Sequence, residues 1–340
     1  MRPFEWIEAA SSAQAAGATT VADAMLLTHG ERKVGEATVV KAGGIDLIDL
    51  MKEDLLAPRR IVNLRGIAGL DKIAAQDDGR LRLGALATVA QLAADPLVRP
   101  YAALAGAAGN AASPQIRAVA TLGGNLLQRP RCWYFRSAQH HCARKGGAVC
   151  FAFGGENQYH AIFDHRGCAI VHPSTLATAL VAFDARIELT DAAGGKRETA
   201  LEDFFVLPSR DLHRENDLRA GEIVSAVLLP QLGPRARSAH LKQAEKESFD
   251  WPIADVAVVL EADAQGICRR AALVLGAAAP VPHRARSAEA ALRDKPLNEE
   301  SARAAARAAL TGAAPLTKNA YKLPIFEAVI RRAILAAAQA

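Results

Sequence analysis

Four of the five cysteines in this 340-residue chain lie between positions 132 and 168: Cys132, Cys142, Cys150 and Cys168, with Cys268 far off. Thiolates ligate soft metal centres, and four of them suit a [4Fe–4S] cluster or a tetrahedral zinc ion. The intervals of 9, 7 and 17 residues match neither zinc-finger pairs nor the tight run of bacterial ferredoxins, so spacing alone leaves the metal open. An odd number of cysteines in so long a chain argues against a disulfide scaffold. His140, His141, His160 and His165 share the segment and could also ligate, although a solvated side chain is the plain reading of a loop histidine. Arg129, Arg131, Arg136, Arg144, Lys145 and Arg166 outnumber Glu156 and Asp164 there, which suits a centre made anionic by its thiolates.

Two glycine pairs carry the second kind of chemistry. In Lys41-Ala42-Gly43-Gly44-Ile45-Asp46-Leu47, the glycines let the backbone approach a diphosphate, and a following helix presents N–H groups and a positive dipole end. The spacing is not G-x-G-x-x-G, which disfavours a Rossmann site. Thr121-Leu122-Gly123-Gly124-Asn125 repeats the logic with a hydroxyl, two glycines and an amide. Each turn alone is also what an ordinary strand-to-helix connection looks like; together they could grip one dinucleotide from both ends. There is no nucleophile elbow, P-loop, metalloprotease motif or triad, so no residue is assigned as catalytic and the chemistry belongs to a bound cofactor. A redox cluster beside a nucleotide-binding turn points to electron transfer.

The elements that must position these residues follow from periodicity. A helix is expected over 8–28, a buried strand over 37–42, a helix over 45–53 and a strand over 60–64. Asp77-Asp78-Gly79 signals a hairpin between 71–76 and 80–86. Residues 87–110 read as two short helices broken near Pro96, and Ile116-to-Leu126 as a short strand entering the glycine turn. The segment 128–170 lacks periodicity, and a loop that long is uncommon unless functional. A helix over 174–184, strands over 185–190 and 196–199 and a strand ending at Pro230 come next. Three strands near 237–246, 253–262 and 267–277, then helices near 285–293, 299–311 and 318–338, suggest a separate α+β domain.

Composition excludes several classes. No apolar run reaches the length of a membrane span, and a start with Glu5 and Glu8 does not read as a signal peptide. A net charge of +5 without a basic, aromatic-laced stripe argues against nucleic acid. Reduced cysteines with no signal favour the cytoplasm.

At this point the chain resembles the flavin-binding subunit of the molybdenum hydroxylases, the xanthine dehydrogenase and aldehyde oxidoreductase group. KAGGIDLIDLMK and IRAVATLGGNL are similar to that family's two flavin motifs, and HPSTLATALVAFDA, LRAGEIVSAVLLP, LGAAAPVPHRA and PLTKNAYKLPI to later segments. The resemblance implies an α+β fold: a two-subdomain, PCMH-type FAD-binding domain over 1–230, then a C-terminal domain of the CO dehydrogenase flavoprotein type over 236–340, with a three-stranded antiparallel sheet and helices. Most members run directly from the second glycine motif to the serine segment. Here a cysteine insertion of about 128–170 intervenes, as in the flavin subunits of three-subunit aldehyde oxidoreductases and of 4-hydroxybenzoyl-CoA reductase, both of which carry a [4Fe–4S] cluster. RCWYF and GENQYHAIF lean towards the aldehyde enzyme.

Carried over residue by residue, Lys41, Ala42, Gly43, Gly44, Ile45, Asp46 and Leu47 would hold the FAD diphosphate. Thr121, Gly123, Gly124 and Asn125 would hold the diphosphate and ribityl side, the Val224 backbone would face the isoalloxazine, and Lys242 would touch the flavin. Cys132, Cys142, Cys150 and Cys168 would bind the cluster. Ile45 stands where the family usually has Thr, and Thr175 where it usually has Asp. The implied partners are a large molybdopterin-binding subunit, a small [2Fe–2S] subunit and a terminal electron acceptor, in a heterotrimer. Some relatives reach the periplasm folded, carried by a partner's twin-arginine signal. The rival readings are a reductase of 4-hydroxybenzoyl-CoA type and a zinc-stapled structural subunit without flavin.

Overall fold

The computed structural model describes residues 1–19, 37–246 and 249–340. The first unit comprises β1 (Glu5–Glu8), α1 (Ser12–Ala18), β2 (Thr38–Lys41), α2 (Ile45–Lys52) and β3 (Arg60–Asn63). Its three strands form a parallel sheet in the order β1-β3-β2. Val39 and Ile61 pack with Leu50 and Met51 of α2, which fixes that helix at the end of β2 behind the first glycine turn. Of the helix expected over 8–28, the described residues form α1 over Ser12–Ala18, with β1 ending at Glu8 before it; residues 20–28 lie outside the described residues.

Next come β4 (Ile73–Ala75), β5 (Leu81–Gly84), α3 (Val89–Ala94), α4 (Ala102–Gly109), α5 (Pro114–Val119), α6 (Leu122–Leu126) and α7 (Trp133–Arg136). The segment expected as a strand before the second glycine turn is helical. Ser113 caps α5 by accepting from the Ile116 amide, with Pro114 at its first position, and Thr121 caps α6. Local capping outweighs the β-branched character of the stretch. The cysteine segment holds only α7 and two short 3-10 turns, over 143–145 and 151–153.

Then follow α8 (Thr175–Ala182), β6 (Arg186–Asp191), β7 (Lys196–Ala200), α9 (Leu201–Phe204) and β8 (Glu222–Leu229). Strands β4-β5-β8-β6-β7 make one antiparallel sheet, with β8 buried along its whole length. The last unit is β9 (Ala236–Gln243), β10 (Ala254–Ala262), β11 (Cys268–Gly276), β12 (His283–Arg284), α10 (Arg286–Leu292), α11 (Glu299–Ala309) and α12 (Lys322–Gln339). Its antiparallel sheet runs β12-β11-β10-β9, so a two-residue fourth strand joins the three expected. Alternation explains its place. Val256, Val258 and Leu260 of β10 face α10–α12, while Ala257 and Val259 face the core that includes α4 and α8. Covered on both faces, the sheet joins this unit to the preceding one.

Candidate functional site

The two glycine turns meet. Gly43 lies so close to the Val119–Ala120 backbone, just before Thr121, that a methyl group there would drive into the Val119 carbonyl oxygen. Gly44 adopts the left-handed conformation (φ 85°) and offers no side chain to cap α2, leaving that helix start free for an anionic group. Both turns open on one cavity of about 560 Å³, the size of a cofactor pocket. All seven residues from Lys41 to Leu47 line it, together with Thr121, Gly123, Gly124 and Asn125. Val224 of β8 and Lys242 of β9 line the same cavity, so the structure brings together every residue expected at the flavin. Thr175 also lines it, and Ile45 stands partly exposed at its edge.

Several of these side chains already have partners, which limits what they can offer. Thr121 Oγ1 accepts from the Gly124 amide at 3.2 Å. Asn125 Oδ1 accepts from the Ser174 hydroxyl at 2.6 Å, tying the second turn to the start of α8. Lys242 Nζ donates to the Asn110 carbonyl at 2.8 Å and the Asp250 carbonyl at 3.2 Å, and burial lowers its pKa. Lys41 Nζ donates to the Ala42 carbonyl and lies over the Trp6 ring, and burial lowers its pKa as well. The Asp46 side chain is committed to arginines of the cysteine segment. Its carboxylate accepts the Arg129 amide at 2.8 Å and pairs with Arg131 at 2.9 Å and Arg136 at 2.6 Å.

Those arginines lead to the second cavity. Cys132, Cys142, Cys150 and Cys168 line one small space with Arg144 and His160. Three of the four directly precede a helical turn: Cys132 precedes α7, Cys142 the turn over 143–145 and Cys150 the turn over 151–153. Nearby backbone N–H groups oppose the effect of burial on these thiols: those of Tyr134 and Phe135 at Cys132, of Arg144 and Lys145 at Cys142, and of Ala152 and Ala169 at Cys150. Cys168 receives the Ile170 N–H and, from Arg144 Nε, a side-chain bond at 3.4 Å. His160 Nε2 stands 3.2 Å from Cys132 Sγ.

Burial pushes the Cys132 thiol up to about 12, with Cys168 and Cys142 adding repulsion, and burial raises Cys142 too. Cys150 is raised chiefly by its hydrogen bond to Cys168, which for the same reason, and through Arg144, titrates below an ordinary thiol. Among the described residues, no group of three or more His, Cys, Asp and Glu is arranged to hold a single metal ion. Cys268 lies apart in β11 with its sulfur on the Arg270 carbonyl.

Sequence reading set the local arginines against the cluster's charge, but it missed their carboxylate partners. Arg131 and Arg136 also pair with Asp49, while Arg129 and Arg144 converge on Glu215 at 3.0 and 2.6 Å. Glu215 had no motif to announce it. It comes from the loop before β8, next to Asn216, whose bridge to Phe205 fixes its place. Trp251 was missed too; it lines the flavin-sized cavity beneath the Arg131 guanidinium. Among the described residues, no helix is long and apolar enough to cross a membrane.

Comparison with known proteins agrees with this geometry. The family described as the FAD binding domain in molybdopterin dehydrogenase matches residues 2–232, and the CO dehydrogenase flavoprotein C-terminal domain matches 239–337. The chain is 34% identical over 287 residues to the aldehyde oxidoreductase FAD-binding subunit PaoB of Escherichia coli K12, covering 83% of this chain and 86% of that one. It is 25% identical over 283 residues to the nicotinate dehydrogenase FAD-subunit of Eubacterium barkeri, covering 83% and 80%. In fold it is similar to quinoline 2-oxidoreductase from Pseudomonas putida 86, with a TM-score of 0.73, 23% identity and coverage of 99% and 98%. It is likewise similar to the Cu,Mo-CO dehydrogenase, with a TM-score of 0.72, 23% identity and coverage of 100% and 99%. The chain belongs to the FAD-binding subunits of the molybdenum hydroxylases, and is an oxidoreductase component.

Proposed function

We propose that this chain is the FAD- and [4Fe–4S]-carrying electron-transfer subunit of a molybdenum-dependent aldehyde oxidoreductase, lying between molybdenum and [2Fe–2S] partner subunits and a terminal acceptor. The observation that carries the reading is the pair of adjoining cavities. Gln128, Arg129 and Arg131 line the flavin-sized one, and the next residue, Cys132, lines the space shared by the four thiols. The flavin domain would span 1–230 and the C-terminal domain 236–340.

Lys41 to Leu47 would hold the FAD diphosphate with backbone groups, since Ile45 lacks a hydroxyl and Asp46 is committed to arginines. Thr121, Gly123, Gly124 and Asn125 would hold the diphosphate and ribityl side. The Val224 backbone and Lys242 would face the ring end, with Trp251 and its stacked Arg131 covering the cavity. Bound there, a flavin supplies conversion between two-electron and one-electron chemistry. Cys132, Cys142, Cys150 and Cys168 would bind the cluster; the reading is supported by the four of them lining one small space, where Arg144 Nε donates to Cys168 Sγ. A zinc ion would need four sulfurs about 2.3 Å from one point.

The similarity to PaoB supports the aldehyde reading and a complex with a large molybdopterin-binding and a small [2Fe–2S] subunit. Assay of the assembled complex tests it. Aromatic aldehydes should reduce the bound flavin, and the dithionite-reduced complex should give the low-temperature EPR signal of a reduced [4Fe–4S] cluster. Turnover of aromatic acyl-CoA in place of aldehydes would transfer the chain to the 4-hydroxybenzoyl-CoA reductase type.

A further inference from the structure

Arg144 is an unusual cation. Its side chain is 1% exposed, in a segment with little regular structure. Its guanidinium makes three kinds of contact. Nε donates to Cys168 Sγ at 3.4 Å, while Nη1 donates to Glu215 Oε1 at 2.6 Å and to the Arg214 carbonyl at 3.4 Å. Glu215 is itself buried and pairs through Oε2 with Arg129 at 3.0 Å. Arg129 and Glu215 both line the flavin-sized cavity, whereas Arg144 lines the cysteine cavity. A buried cation–anion–cation row therefore runs from one thiol to the wall of the other site.

Burying such a row is expensive, and replacing buried ion pairs by apolar residues is often neutral or stabilising. Stability alone is thus a weak reason for it. Its charges do have a consequence at the cysteine site. Hydrogen bonds to ligand sulfurs and nearby charge set the potential of iron–sulfur centres, and a low-dielectric interior screens that influence poorly.

We propose that Arg144 sets the reduction potential of the centre held by Cys132, Cys142, Cys150 and Cys168, and that Glu215 positions Arg144 and moderates its charge. The inference rests on the cluster reading given above. Arg144 favours the reduced centre, which carries one more negative charge, through its N–H on the Cys168 sulfur and its unit positive charge. Glu215 pulls the potential the other way through its own charge, while holding the guanidinium fork in place. Arg144 acts through Cys168 and so is a positioning residue.

The test is an EPR-monitored redox titration of the full chain copurified with its partner subunits, with iron and flavin counted in the same samples. Arg144→Gln should lower the cluster potential by at least a tenfold change in the reduction equilibrium, about 59 mV for a one-electron couple. Glu215→Gln should raise it, and Arg144→Lys should fall between wild type and Arg144→Gln. Unmoved potentials, or Gln variants that shift in the same direction, overturn the inference. If Arg144→Gln loses its iron, Glu215→Gln alone decides by the same criterion. Four irons per wild-type chain with unmoved potentials sinks this inference only, whereas a wild-type chain without iron sinks the cluster reading as well.

Discussion

Arg136 and Asp46 stand 90 residues apart in sequence, and their side chains meet at 2.6 Å. Asp46 opens α2 at the first glycine turn, and Arg136 ends α7 directly after the first cysteine. The contact joins the flavin-sized cavity to the cysteine segment, and Arg131 and the Arg129 amide reinforce it. Asp46→Ala would leave two largely buried guanidinium groups sharing Asp49 as their one carboxylate among the described residues. The expected loss is about 3 kcal/mol, the scale for breaking one partner out of a buried pair. Denaturant unfolding checks this, and flavin and iron per chain should fall together. An unchanged midpoint with full occupancy of both would show that the contact does not join the sites.

The two glycines of the first turn should differ in their response. Gly43→Ala places a methyl against the rigid Val119 carbonyl, and overpacking of that kind costs about 1–3 kcal/mol. Gly44→Ala meets the flexible end of Lys41, and its left-handed backbone costs about 1–2 kcal/mol. Gly43→Ala is therefore expected to lose more bound flavin, because the displaced backbone belongs to the second turn. Fluorescence of flavin released from equal amounts of each variant measures it. Equal retention in both would place the turns apart in solution.

Cys142 and Cys268 offer a matched pair of buried cysteines. Cys142→Ser should lose most of the iron while keeping flavin, since Cys142 lines the thiol cavity and not the larger one. Cys268→Ser should keep both, because its sulfur meets only β11 and its surroundings. Colorimetric iron analysis distinguishes them, and full iron in the Cys142 variant would remove it from the ligand set.

His172 predicts an acid limb in stability. Its ring is buried beside Phe205, and burial lowers its pKa to about 3 from the ordinary 6.5. Between those values the unfolded chain binds a proton that the folded chain does not. Stability is therefore full above pH 6.5 and falls as pH drops, by up to about 1.4 kcal/mol per pH unit. His172→Gln should flatten this slope between pH 6 and 4 in urea titrations; an identical slope would show that His172 is accessible to protons in the native state.

The sequence made both cofactor turns legible because each depends on residue types with few substitutes. Gly43 and Gly44 are required by a backbone contact and a positive φ, and four cysteines in one aperiodic segment have few other uses. Strands β10 and β11 were legible through their apolar runs. The approach to the second turn was not. Residues 116–119 look extended by residue type, but Ser113 and Pro114 start a helix that runs through them. Strand β12 escaped notice because two residues carry no period. The charge row through Glu215 was invisible for a different reason: Arg144 and Glu215 are 71 residues apart, and only the fold brings them together.

The central claim is that one chain holds both a flavin and a cubane iron cluster on Cys132, Cys142, Cys150 and Cys168. The most direct test is to count FAD, iron, acid-labile sulfide and zinc on a single anaerobic preparation of the complex, after subtracting the iron and sulfide of its [2Fe–2S] partner. The account predicts about four irons and four sulfides for each FAD. Zinc bound at this site in place of iron, with or without flavin, would contradict it.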